Sequence, residues 1–177
     1  MKVGDVILCT AWFGLLSLLI AQGCATGAPE AVTNGVPNLS QVEPGVWRGG
    51  QPKSAGAWIY LRSLGLTNDI KLNTIEEGSD QAAIGAGFDV LYFPIETLEQ
   101  LLDGPSPALV NNALHQIRPG TYVHCQHGQD RTGLLIGLYR LQEGTNAAAA
   151  WCEMTNHGYH PALRGLTHYW REQTKSP

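Results

Sequence analysis

Charge is scarce in this chain, and none of it gathers into a basic face. Only 15% of the residues are Asp, Glu, Lys or Arg, and 11 Lys and Arg face 15 Asp and Glu, for a formal net charge of −4. A protein that holds nucleic acid or another broadly anionic partner on a positive surface is not built this way, so any attraction for phosphate has to be local. Aromatic residues make up 8%, and no internal repeat or low-complexity block is present. Cysteine is limited to four residues with no Cys-x2-Cys pair, which removes a common spacing of structural zinc sites. The apolar stretch near the N-terminus, Val6 to Ala21, has 16 residues without a charge. That is short of the roughly 20 needed to span a bilayer as a helix. The 177 residues allow one domain of ordinary size with a core of its own.

What is present is concentrated in ten residues, His124-Cys125-Gln126-His127-Gly128-Gln129-Asp130-Arg131-Thr132-Gly133. The apolar Thr121-Tyr122-Val123 precedes them and Leu134-Leu135-Ile136-Gly137-Leu138-Tyr139 follows. The local reading is strand, tight loop, helix, with Cys125 at the strand end and Arg131 entering the helix. A loop that ends on a helix N-terminus turns successive backbone N–H groups inward and makes an anion site. The same field lowers the pKa of a cysteine at its centre, and a planar guanidinium grips two phosphate oxygens at once. The residues Gln126, His127, Gly128, Gln129, Asp130 and Arg131 are therefore expected to bind phosphate above a Cys125 nucleophile.

These residues resemble the signature loop of protein tyrosine and dual-specificity phosphatases, His-Cys-x5-Arg-(Ser/Thr)-Gly. With average residue usage the core of that pattern arises by accident in about one such chain in ten thousand, so the signal is specific. The resemblance extends to a bacterial dual-specificity-phosphatase-like family through the order of weaker motifs. Val46-Trp47-Arg48-Gly49-Gly50-Gln51-Pro52 is similar to its opening motif. Leu64-Gly65-Leu66 with Ile70-Lys71-Leu72-Asn73 is similar to its second strand, and Phe93-Pro94-Ile95 to the start of its acid loop. Glu153-Met154 with Gly158 is similar to its end, so the likeness runs from about Val42 to Tyr169.

The family resemblance implies an α/β fold with a central, mostly parallel sheet flanked by helices. It implies a phosphate monoesterase in which Cys125 attacks phosphorus to form a phosphocysteine that water then hydrolyses. Arg131 would hold the equatorial oxygens, Thr132 would hydrogen-bond the thiolate, and His124 would orient the loop. A general acid must protonate the leaving oxygen, and the family draws it from an aspartate on the loop before a long helix. Asp103 is the aspartate in Pro94–Pro105 and is the first candidate; Glu96, Glu99 and Asp130 are the others. The chemistry implied needs no metal and no cofactor, and the implied state is a monomer without a nucleic-acid partner.

The same residues admit other readings. His124, Cys125 and His127, with Cys152, His157 and His160 downstream, could ligate zinc, but Arg131 in their midst repels a cation. A rhodanese-type sulfur carrier does not fit Arg-Thr-Gly leading into an apolar helix. A non-catalytic phosphate-binding module is disfavoured by the intact Cys125 and Arg131. The variable loop positions Gln126, His127 and Gln129 are uncharged at neutral pH, whereas phosphoinositide phosphatases carry lysines there. Asp130-Arg131 is shared with some lipid-directed relatives. Phosphotyrosine or phosphoserine/threonine in protein, and inositol phosphates or phosphoinositides, all stay open as substrates.

The N-terminus reads as a targeting segment, residues 1–23, with Lys2 at its start and an apolar stretch of signal-peptide length. Ile20-Ala21-Gln22-Gly23-Cys24 is similar to a bacterial lipoprotein cleavage box. Acylated Cys24 would then attach the protein to a membrane of the bacterial cell envelope, and Cys9 would be lost with the signal. Residues 24–41, with Gly27, Pro29, Asn34, Gly35 and Pro37, suit a flexible tether. The catalytic domain would occupy 42–177. Within it, helices are expected at 54–64, 76–85, 106–117, 131–144, 147–156 and 161–174. Strands are expected at 46–48, at 66–72 (diluted by Asn68 and Asp69), at 88–93 and before Cys125, with a loop and a short turn across Pro94–Pro105. Cys152 is expected as a buried apolar residue on a helix, with a regulatory disulfide to Cys125 as the alternative.

Overall fold

The structure is a computed structural model that describes residues 34–175. The signal-like segment, Cys9 and Cys24 lie outside the described residues. Five strands form one sheet in the order β1-β2-β5-β3-β4, from β1 (Ser40–Glu43), β2 (Val46–Gly50), β3 (Asn68–Lys71), β4 (Asp89–Tyr92) and β5 (Thr121–Cys125). β1 runs antiparallel to β2, and every other neighbour pair is parallel. Helices α1 (Ala55–Ser63), α2 (Gln81–Gly85), α3 (Pro107–Leu114), α4 (Asp130–Gln142), α5 (Ala147–Asn156) and α6 (Arg164–Gln173) cover the two faces.

Strand alternation sorts the side chains between two cores. From β5, Val123 and Cys125 join the larger core with Ile70, Leu134, Ile136 and Met154, under α3 to α6. Tyr122 points the other way and joins Trp58, Leu61, Ala83 and Phe88 under α1 and α2. α4 is buried at every position from Arg131 to Tyr139 and shows no polar face, as a central helix should. Gly137 has Met154 Sδ within 2.5 Å of where a Cβ would stand, so α5 crosses α4 at close range.

Four expectations need correction. The tether does not reach residue 41: Val36 is fully buried, Pro37 accepts from Gly50 N–H at 2.7 Å, and Ser40–Glu43 forms a strand. Gly and Pro in this stretch serve turns packed on the sheet. The helix expected over 76–85 is only α2, because side chains across the sheet tie residues 73–80 into a loop. Asn68 and Asp69 do not weaken β3, all four of whose residues are buried, each polar one held by a partner from β5 or a neighbouring loop. Cys152 is half-buried on α5, and Cys125 is free, so the two are not joined. The short turn foreseen in 94–105 is a single π-helical turn, Glu99–Asp103, seated on α6 where Gly165 leaves no room for a Cβ.

Candidate active site

The parallel register ends β2, β5 and β3 together, with Gly50 opposite Cys125 and Lys71 opposite His124. The loops leaving this carboxyl edge are where open α/β sheets bind ligands. Cys125 is the last residue of β5, and the chain turns through Gln126–Gln129 into α4. Gly128 has φ +74°, and a Cβ there would lie 2.3 Å from the carbonyl carbon of Gly49. Only glycine allows the loop to rest backbone-to-backbone on the end of β2.

Cys125 is 2% exposed. Burial pushes its thiol up, but the Arg131 charge, the Thr132 hydroxyl and the amides of Thr132 and Gly128 outweigh it and hold the pKa below the ordinary value. Arg131 is 4% exposed; its guanidinium charge acts on Cys125, and Nη1 donates to the Ile95 carbonyl at 3.3 Å. Thr132 is fully buried, and its single hydroxyl proton has the Gly49 carbonyl, at 3.5 Å, as the alternative acceptor to the thiolate. The nucleophile, arginine and threonine named from the sequence thus converge.

Three sets of supporting residues were not foreseen. Glu77 grips Arg131 in a two-pronged ion pair, Nη1 to Oε2 at 2.6 Å and Nη2 to Oε1 at 2.8 Å. That pairing holds the Glu77 carboxyl below its usual range. Its only sequence signal was paired acids just past a strand's carboxyl end. Arg48, fully buried on the Cys125 side of β2, donates from Nη2 to the Gly128 carbonyl at 3.0 Å. Burial lowers it to about 10, opposed by Glu153 and the Cys125 thiolate, so it stays a cation. Asn38 donates to the same carbonyl at 3.1 Å and to that of His157 at 2.8 Å, bracing the signature loop from the N-terminal side.

The third set lies on the other face of β5. His124 Nε2 is 3.2 Å from Asp69 Oδ1 and 3.7 Å from Asp80 Oδ2, an ion pair without a well-directed hydrogen bond. Burial disfavours its charge, but the two carboxylates win and raise it to about 9. Burial also raises the fully buried Asp69 and opposes ionisation of Asp80; the His124 charge with the Gln51 and Lys71 contacts nevertheless brings Asp80 to about 2. Gln51 accepts from Lys71 Nζ and Asn73 Nδ2, each at 3.0 Å, and its backbone N–H donates to Gln126. Through Lys71 Nζ on the Gly78 carbonyl at 2.8 Å, this cluster fastens the loop that carries Glu77. His124 thus belongs to a buried charge cluster that fastens the 73–80 loop.

Asp69, Asp80 and His124 bring ligand atoms within 4.8 Å of one another. Lys71 Nζ, 3.0 Å from Asp80, already stands where a cation would bind, so the group does not suit a metal. The zinc set considered from the sequence is not assembled: His124 turns to these aspartates and His160 to Asp130.

Among the acid candidates, Asp130 accepts from the His160 backbone N–H at 2.7 Å and from its ring at 3.0 Å. This turns the Asp130 carboxylate to the His160 loop and away from a phosphate role. Glu99 caps its own turn by accepting from Glu96 N–H at 2.6 Å. Glu96 and Asp103 are exposed on the loop whose start, Ile95, touches Arg131. Gln126 and Gln129 are half-buried, and His127 is exposed at the loop's tip.

Solved structures with this architecture cover most of the chain. The P. aeruginosa protein TpbA in complex with phosphotyrosine superposes with a TM-score of 0.64 at 24% identity, over 85% of this chain and 91% of that one. A putative phosphatase (DUF442) from Shewanella putrefaciens matches with a TM-score of 0.62 at 22% identity, over 85% and all of the two chains. The core catalytic domain of the PP-IP phosphatase SIW14 from S. cerevisiae, in complex with citrate, gives 0.65 at 19% identity, over 76% and 84%. This is the fold of the cysteine-based phosphatases. No family model matches the sequence. The expected sheet, mostly parallel and flanked by helices, stands.

Proposed function

We propose that the chain is a metal-independent phosphomonoesterase that works through a phosphocysteine. The observation that carries this is Cys125, buried and held toward thiolate by Arg131, Thr132 and loop amides. In the first step the thiolate forms a bond to phosphorus as the ester P–O bond breaks, and the departing oxygen takes a proton from a carboxyl group. Water then attacks phosphorus, gives its proton to the same carboxylate, and releases phosphate and the Cys125 thiolate. Arg131 and the loop amides hold the equatorial oxygens throughout. The likeness to TpbA with phosphotyrosine supports phosphorylated protein as the substrate; inositol phosphates, as for SIW14, are the second reading.

We assign the acid to Asp103. Its carboxylate is exposed and unpaired, whereas Glu77 is held ionised by Arg131, Asp130 is engaged by His160, and Glu99 caps its turn. Glu96 is the competitor. Export and membrane attachment through acylated Cys24 are proposed from the apolar stretch Val6–Ala21 and the cleavage-box residues. Cys24→Ser should block lipid labelling, and recovery of the full-length chain from the cytosol would end that proposal.

Turnover of p-nitrophenyl phosphate in excess chelator should persist in the unmutated protein and vanish in Cys125→Ser, which should still bind sulfate. Activity that survives in Cys125→Ser, or that needs added zinc, would overturn the phosphocysteine reading.

A further inference from the structure

Two loops flank Arg131, residues 73–80 through Glu77 and residues 94–105 through Ile95. They stand side by side, because the Tyr92 hydroxyl bonds the Ile75 backbone and lies in the field of Glu76, Glu96 and Glu77. Between them they carry Glu76, Glu77, Glu96, Glu99 and Asp103, besides the buried Asp80 that Lys71 holds, and no lysine or arginine. Ile75 and Leu98 project from them, each 64% exposed. Glu77 occupies both Nη atoms of Arg131, and the Nε of this buried arginine has no partner. Nε and the second N–H of Nη2 are thus left for an incoming oxygen, while the charge of the arginine is already balanced by a carboxylate. A single phosphate can be taken there. A second anionic group beside it would face the carboxylates of Glu76 and Glu96, which no arginine balances, with no cation on either loop to hold it.

We infer that the rim selects a lone phosphate on a polypeptide whose neighbouring residues are basic and apolar, and disfavours substrates that carry further negative charge next to the phosphate. This rests on the phosphatase reading. Lysine or arginine beside the phosphorylated residue would face Glu76 and Glu96, and apolar side chains would lie against Ile75 and Leu98.

The test uses two phosphotyrosyl peptides of equal length, one flanked by lysine and leucine, the other by aspartate and glutamate. Inositol hexakisphosphate and p-nitrophenyl phosphate complete the set. At low ionic strength kcat/KM should favour the basic peptide by about tenfold or more, and the ratio should shrink near 1 M salt, where the screening length is about 3 Å. Glu76→Lys, an exposed change outside the catalytic groups, should cut the ratio severalfold and leave p-nitrophenyl phosphate turnover unchanged. Equal values for the two peptides, a preference for the acidic one, or faster phosphate release from inositol hexakisphosphate would overturn the inference while p-nitrophenyl phosphate is still cleaved. Absence of p-nitrophenyl phosphate cleavage by the unmutated protein would remove both this inference and the phosphatase reading.

Discussion

The floor of the site and its rim are built on opposite principles. In the floor the charged side chains are held, and all but the half-buried Glu77 are buried: Arg48 on the Gly128 carbonyl, His124 between Asp69 and Asp80, Lys71 on Gly78 and Asp80, Arg131 on Glu77. In the 94–105 part of the rim, Leu98, Leu101 and Leu102 face solvent, and the carboxylates of Glu96 and Asp103 are exposed. A low-dielectric floor makes each dipole and charge count for more, and unpaired charges there are costly, so the cluster admits little variation. The rim carries no such constraint and is free to differ with the substrate. Catalytic power should therefore depend steeply on the floor and selectivity on the rim.

The sharpest break of that contrast is Arg131→Lys. A lysine keeps the charge but loses the fork that meets Glu77 and a phosphate oxygen together. Steady-state turnover of p-nitrophenyl phosphate should fall by about a hundredfold to a thousandfold, the usual worth of a positioned anion donor. A loss below about tenfold would mean that charge alone suffices.

Asp103→Asn comes next and tests whether the rim contributes to chemistry. Phenyl phosphate, a poor leaving group, should slow by roughly a hundredfold, and p-nitrophenyl phosphate should barely change. Equal losses on both would reduce Asp103 to a turn residue. If Glu96→Gln shows the leaving-group dependence instead, the acid lies closer to Ile95.

A smaller effect concerns the pH dependence of the floor, followed by urea unfolding in the Cys125→Ser background. His124 titrates near 6.5 in the unfolded chain and near 9 in the fold. Below 6.5 it is protonated in both states and its ion pair contributes fully; the contribution is lost as pH rises through about 9. The unfolding midpoint should therefore decline across that window. Replacing Cys125 removes a thiolate whose lowered pKa works in the opposite direction. A midpoint that stays level or climbs would show that His124 is not a buried cation.

The smallest expected effect is at Leu102, 64% exposed. Leu102→Ser should move stability by no more than about 0.5 kcal/mol, read from the same urea midpoints. A larger loss would mean that this part of the rim is packed as tightly as the floor.

The sequence by itself determined the strand, loop and helix around Cys125, and with them the placing of Cys125, Arg131 and Thr132. All of these lie within a few residues of one another, so local spacing, glycine placement and helix-terminus electrostatics are enough to specify them. The α/β alternation was legible for the same reason, since each element's hydrophobic period is a short-range property. Glu77, Arg48, Asp69 and Asp80 were not legible as site residues. Glu77 lies 54 positions from Arg131, and Arg48 lies 80 from Gly128. Their meeting depends on β5 inserting between β2 and β3, so that Gly50, Cys125 and Lys71 end at one edge. That order comes from burying both faces of a parallel sheet at once, a global requirement that no single stretch of sequence displays. The same requirement drew residues 36–41 out of the expected tether and onto the sheet, and shortened the helix expected at 76–85, leaving Glu77 in a loop that meets Arg131.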